Sequence, residues 1–155
     1  MAKGVQPVVI VGGGFSGAML AARVAKRGVA CSLIDRTGTF GPGLAYSTPF
    51  DGHLLNVRSD RMSAVDDTPG DFVEWLRANC PKHADPDGFA PRRLYGEYLQ
   101  HRLSAARMAH PGMIELVTGE VAGVEGDGVR LSDGRVIPAG AVVLATGNPA
   151  PRTAG

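Results

Sequence analysis

The run Gly12-Gly13-Gly14-Phe15-Ser16-Gly17 places glycine at the first, third and sixth of six consecutive positions. Glycine in such a run can turn the chain sharply and let backbone N–H groups approach a phosphate oxygen, which a Cβ would prevent. If a helix opens at the same point, its unpaired N–H groups and the positive end of its dipole face that phosphate. Eighteen residues after Gly17 stands Asp35, whose carboxylate can accept hydrogen bonds from a ribose hydroxyl and disfavours a 2′-phosphate. Arg36 beside it weakens that exclusion, since a guanidinium can pair with a phosphate or lie over an adenine face. The chemistry is recognition of a dinucleotide. Because the chain holds 22 glycines and chance matches are easy, the surrounding elements decide.

Those elements have the required order. Pro7-Val8-Val9-Ile10-Val11 is an uninterrupted apolar run that suits a strand buried on both faces of a parallel sheet. Phe15 to Arg27 lacks proline, carries its charges near its end and is followed by Gly28, which predicts a helix. Ala30 to Ile34 is a second apolar run, so the motif sits in a strand, helix, strand unit with Asp35 at the end of the second strand. Arg36 to Thr68 is a long irregular excursion broken by Gly, Pro, Ser and Asp. Thr68-Pro69-Gly70-Asp71 reads as a helix start with Thr68 as N-cap, the helix running to Asn79, and Pro91 opens another over Arg92 to Met108. Ile114, Leu116, Val121, Val124, Val129 and Leu131, with turn dipeptides Asp127-Gly128 and Asp133-Gly134, predict a small β-meander. Ala141 to Ala145 is a last buried strand running into Thr146-Gly147-Asn148-Pro149. A strand apolar on both faces needs two covering layers, and no element after residue 145 supplies one, which predicts a fragment of a larger protein.

The fold class is therefore α/β: a Rossmann-like fold with a parallel sheet, flanking helices and a small β-meander. At 155 residues the chain fits one domain, and 44% hydrophobic with 20% charged residues describes an ordinary globular sequence. Sixteen Lys plus Arg against fifteen Asp plus Glu leave no basic stretch suited to a nucleic-acid backbone. No apolar run is long enough to span a bilayer or serve as a signal peptide, which predicts a cytoplasmic protein without a membrane partner. Cys31 and Cys80 share no metal or disulfide spacing, and His53, His83, His101 and His110 are scattered, so no metal site is expected. Ser16 has no Gly-x-Ser-x-Gly setting and no partnered histidine, so its hydroxyl is expected to face phosphate or cap the helix. Phe72, Trp75 and Leu76 share one helical face, which assigns Trp75 to the core. Arg92 and Arg93 oppose the dipole of their helix, so one of them is expected to meet an anion or carboxylate.

Several segments together resemble the FAD/NAD(P)-binding domain of bacterial flavoproteins with two dinucleotide-binding folds, related to N-hydroxylating flavin monooxygenases. They are Val9 to Gly17, Gly41-Pro42-Gly43-Leu44-Ala45-Tyr46-Ser47-Thr48, His53-Leu54-Leu55-Asn56-Val57 and Phe89 to Tyr98. The resemblance implies FAD as cofactor, NAD(P)H as electron donor in the full-length protein, and a small-molecule substrate that it does not specify. It implies that Ala145-Thr146-Gly147 lies where the chain passes near the flavin and that the backbone of Val121 approaches the adenine. Asn56, with Arg58, Ser59 and Met62, falls in the excursion where the flavin ring would lie. Such flavoproteins continue well past the Ala-Thr-Gly element, so residues 1–155 are expected to be one FAD/NAD(P)-binding domain, the N-terminal part of a longer chain. The family's acidic ribose ligand is commonly Glu, and Asp35 is one methylene shorter. Two functions follow: the FAD-binding part of an oxidoreductase using NAD(P)H and oxygen, or a dinucleotide-binding module without turnover. No catalytic side chain is assigned, since the flavin carries the chemistry in such enzymes.

Overall fold

The computed structural model describes residues 6–148. In chain order the elements are β1 (Val8–Val11), α1 (Phe15–Lys26), β2 (Cys31–Asp35), α2 (Asp71–Asn79), α3 (Arg92–Ala109), β3 (Ile114–Thr118), β4 (Val121–Glu125), β5 (Gly128–Leu131), β6 (Val136–Pro138) and β7 (Ala141–Leu144). Short 3-10 turns lie at Ser59–Arg61 and Pro81–His83. Four strands form a parallel sheet in the order β3-β2-β1-β7, with Ile10 opposite Leu33 on one side and Val143 on the other. The remaining three form an antiparallel meander in the order β4-β5-β6.

Alternation along the strands divides the apolar side chains between two faces. Ile10, Leu33 and Ile114 face the helices, packing with Ala18, Met19, Ala21 and Ala25 of α1 and Leu94, Leu99 and Leu103 of α3. Val9, Ile34 and Val117 face the opposite way, against Val129 and Leu131 of the meander. The meander is thus the second covering layer, so the cover that the sequence pattern sought after residue 145 is supplied by an earlier segment. That layer comes before β7 in the chain. On β7 itself, the sheet's edge, Leu144 remains 68% exposed.

Three more features differ from the sequence pattern. Ile114–Thr118 belongs to the parallel sheet and not to the meander, pairing with β2 in the register Cys31 to Ile114. Apolar periodicity marks a strand but does not say which strand it will pair with. Helix α2 begins at Asp71 with Gly70 as its cap residue, while Thr68 forms a turn whose carbonyl accepts the Asp71 N–H at 3.0 Å. The first meander turn falls on Gly126-Asp127, since Gly128 already pairs with Glu125 and Pro138.

The excursion between β2 and α2 holds no α-helix or β-strand, yet it is fastened to the helices. Leu55 enters the main core, and its N–H donates to Ala90 O at 2.9 Å. Ser59 is fully buried and its hydroxyl donates to Gly88 O at 3.1 Å. The Tyr98 hydroxyl accepts the Ala64 N–H at 2.9 Å and donates to Asp71 Oδ2 at 2.6 Å, joining the excursion to α2 and α3. Trp75 lies in this core, stacked on Phe72 at 6.3 Å between ring centroids. Among the described residues no helix is long and apolar enough to cross a membrane.

Candidate functional site

The glycine run turns the chain from β1 into α1, and each of its key glycines is forced by a different neighbour. Gly12 has φ +107°, and a Cβ there would stand 2.2 Å from Ala145 O. Ala145 is held in place because its N–H continues the parallel ladder to Val11 O at 2.8 Å. A Cβ on Gly17 would lie 1.8 Å from Gly12 O, so only glycine lets the first turn of α1 fold onto the loop. A Cβ on Gly13 would lie 2.8 Å from Asp35 Cβ and 2.7 Å from Phe40 Cδ1. Gly14 caps α1 without a side-chain hydrogen bond. The N–H groups of Gly14, Phe15, Ser16 and Gly17 have no acceptor among the described residues, while Ala18 N–H already bonds Gly14 O at 2.9 Å. Four backbone donors therefore converge at the positive end of a twelve-residue helix.

Asp35, half-buried at the end of β2, organises this loop. Its Oδ2 accepts the Gly13 N–H at 3.0 Å, and its Oδ1 accepts both the Thr37 N–H at 2.8 Å and the Thr37 hydroxyl at 2.6 Å. Two carboxylate oxygens offer about four lone-pair sites, so one acceptor site remains, on Oδ2. Thr37, Phe40, Gly41 and Gly43 also pack on this loop; Gly41 and Gly43 lie in a segment that carries the family resemblance, while Thr37 and Phe40 lie outside the glycine motif. Gly41 N–H donates to Gly13 O at 2.7 Å, and a Cβ on Gly43 would lie 3.0 Å from Gly14 Cα. The Gly-Pro-Gly segment is backed in turn by α3, where a Cβ on Gly96 would meet Tyr46 O at 2.4 Å. Asp-x-Thr and Gly-Pro-Gly were the available signals for this layer, since the first favours a local side-chain turn and the second a close backbone approach.

Gly12, Gly13, Gly14, Gly17, Asp35 and Ala145 thus come together at the carboxyl ends of β1, β2 and β7. Phe15 and Ser16 are exposed at the helix start, with the Phe15 ring 6.3 Å from that of Tyr95. Burial pushes the Tyr95 phenol well above its ordinary value, reinforced by Tyr46 and Tyr98. Arg36, Thr146 and Gly147 are exposed beside the loop ends, Gly147 with φ +64°. Val121 stands elsewhere, half-buried at the start of β4 and paired with Leu131. Just before its strand, Gly119 N–H continues the parallel ladder to Asp35 O at 3.0 Å, which ties the segment leading into the meander to the Asp35 end of the sheet. Asn56 is exposed in a groove that it shares with Val57, Arg58, Arg61 and Phe89.

The excursion's other candidates serve mainly structure. Arg58 pairs with Asp60 at 2.7 Å and Asp87 at 2.9 Å, Ser59 bonds Gly88, and Met62 packs against the main core. Arg93 meets the expected carboxylates, Asp51 and Glu97. Among the described residues no three His, Cys, Asp or Glu side chains form a metal-holding group.

Comparison with known proteins agrees with this geometry. The chain is 29% identical over 151 residues to the tRNA uridine 5-carboxymethylaminomethyl modification enzyme MnmG of Granulibacter bethesdensis, covering 90% of this chain and 24% of that protein. It therefore spans about a quarter of that relative's length. A crystal structure of the GidA-related protein from Thermus thermophilus superposes with a TM-score of 0.52 at 25% identity, covering 92% of this chain and 53% of that one. OTEMO, solved in complex with FAD and NADP, superposes with a TM-score of 0.64 at 18% identity over 96% of this chain and 27% of its own, a likeness of fold. Residues 9–149 match the family model described as FAD-NAD(P)-binding, so the chain is a dinucleotide-binding flavoprotein domain and belongs to the FAD-NAD(P)-binding family.

Proposed function

We propose that this domain holds FAD for a longer flavoprotein, an oxidoreductase that draws electrons from NAD(P)H and uses oxygen as a monooxygenase. The observation that carries the cofactor assignment is the set of four unpartnered N–H groups at residues 14–17, in a loop where Gly12 and Gly17 leave no room for a Cβ. Unpaired donors at a helix N-terminus suit a pyrophosphate, and the missing side chains leave the backbone open to it. Gly12, Gly13, Gly14, Phe15, Ser16 and Gly17 would hold the phosphates. The free acceptor site of Asp35 would take a ribose hydroxyl, Arg36 would cover the adenosine end, and the Val121 backbone would meet the adenine. Asn56 and Ala145-Thr146-Gly147 would line the flavin end. When bound, FAD supplies two-electron chemistry, accepting a hydride that no side chain of this chain can carry. The protein's own task is to fix the cofactor and to keep water from the ring. Asp35 contributes by tying Gly13 to β2, and the Gly41-Pro42-Gly43 segment by closing over the loop from the side of α3.

Monooxygenation draws its support from the resemblance to N-hydroxylating enzymes and from the fold shared with OTEMO. The name of the MnmG relative points to tRNA, but sixteen basic against fifteen acidic residues give this chain no electrostatic preference for a polyanion. The test is NAD(P)H oxidation by the FAD-loaded full-length protein, in air and under argon. Oxygen-dependent consumption is expected; no consumption under either gas would leave a binding module without turnover.

A further inference from the structure

Arg92 and Arg93 open α3 side by side, where two positive charges oppose the helix dipole, yet they are neutralised differently. Arg93 Nε donates to Asp51 Oδ1 at 3.0 Å, and its guanidinium also pairs with Glu97. Arg92 has no carboxylate partner among the described residues; its side chain makes one hydrogen bond, from Nε to Leu54 O at 3.1 Å. Its backbone N–H donates to His53 O at 2.8 Å, and Pro91 bridges Leu54, so the arginine is fixed to residues 53–54 through main chain and side chain alike. A guanidinium anchored through Nε presents its two terminal nitrogens as a fork suited to an oxyanion.

Arg92 lines an open surface cavity of about 470 Å³ together with Leu44, Thr48, His53 and Leu54, a volume within the size range of small-molecule sites. The His53 ring is oriented by its Nδ1, 3.0 Å from Thr48 Oγ1. Leu44 is 82% and Leu54 49% exposed, so the walls offer apolar surface beside an uncompensated cation. We propose that this cavity is a substrate subsite for an organic anion, with a carboxylate or phosphate head on Arg92 and an apolar body across Leu44 and Leu54. As a substrate subsite it rests on the oxidoreductase proposed above, whereas anion binding is measured without it.

The experiment titrates the 155-residue chain, with and without FAD, with hexanoate, hexyl phosphate, inorganic phosphate and hexanol, following backbone amide chemical shifts. Hexanoate or hexyl phosphate is expected to give saturable shifts at residues 44–54 and 92, with inorganic phosphate and hexanol weaker by about tenfold or more. The tighter of the two heads identifies the anion. Arg92→Ala is expected to weaken that binding by about tenfold or more. Leu44→Glu, which places a negative charge at an exposed position outside the core, is expected to act in the same direction, and it decides the matter if Arg92→Ala fails to fold. Unmoved resonances with both hexyl anions, undiminished binding in Leu44→Glu, or inorganic phosphate binding as tightly as hexyl phosphate would overturn the proposal. If FAD fails to bind while hexanoate does, the flavin assignment falls and the anion site stands.

Discussion

At the residue scale the loop glycines fall into two kinds, and substitution separates them. Gly12 and Gly17 are required by the fold, one by φ +107° and Ala145 O, the other by Gly12 O. Alanine at either position is expected to destabilise the domain by about 2–4 kcal/mol, read as a lowered urea midpoint. Gly14 has φ −71°, and a Cβ there would meet Gly43 Cα at 3.3 Å, so Gly14→Ala is expected to fold with Gly43 displaced by a few tenths of an ångström and to weaken nucleotide binding by disturbing the loop where its four N–H groups lie. Asp35→Ala strands the Gly13 N–H and both Thr37 donors. A loss of about 1–3 kcal/mol in denaturant unfolding is expected, together with weaker nucleotide binding. A variant with unchanged stability would show that Asp35 does not organise the loop. The glycine pattern and Asp35 were legible in the chain because they are local and spaced by one strand and one helix. Thr37 and Gly43 were only partly so, through Asp-x-Thr and Gly-Pro-Gly, and Phe40 was not, since its approach to Gly13 is a tertiary contact that no spacing encodes.

At the element scale the meander replaces the helical layer expected on the far face of a parallel sheet. Leu131 is 1% exposed and packs with Val9, Ile34 and Val117 from across the two sheets. Leu131→Ala is expected to cost about 2–5 kcal/mol and to speed amide exchange in β1 and β2 as well as in the meander. Exchange accelerated in the meander alone would contradict a shared core. Strand and helix identities were legible from apolar period and length. The assignment of Ile114–Thr118 was not, because its partner β2 lies 83 residues away between Ser32 and Glu115, and pairing over that distance is chosen by the helices that cover the sheet. The start of α2 was misplaced because Thr68-Pro69 makes a turn before the helix, a feature that uses the same residue types as a cap.

At the scale of the whole molecule, burial shapes the response to pH. Desolvation raises the Cys31 thiol from 9.0 to about 11, and burial followed by the Asp71 hydrogen bond raises the Tyr98 phenol from 10.0 to about 12. The folded state therefore holds these protons more tightly than the unfolded chain. Their contribution is fully present below pH 9 and is lost as pH rises through about 9–12. The urea midpoint is expected to be level near neutrality and to fall steeply above pH 9, with a shallower fall in Tyr98→Phe. A midpoint that stays level through this window would contradict the burial of both groups. The same two cores position the site, since the helices hold α1 against β1 and the meander fastens the Asp35 end of β2.

The most direct test of the central claim is an equilibrium titration of the purified chain with FAD, followed by flavin fluorescence, beside Gly14→Ala. One saturable site per chain is expected, with binding weakened by about tenfold or more in the folded Gly14→Ala variant. A folded parent chain that leaves flavin fluorescence unchanged, or a Gly14→Ala variant that binds FAD as tightly as the parent, would contradict dinucleotide binding at the glycine loop.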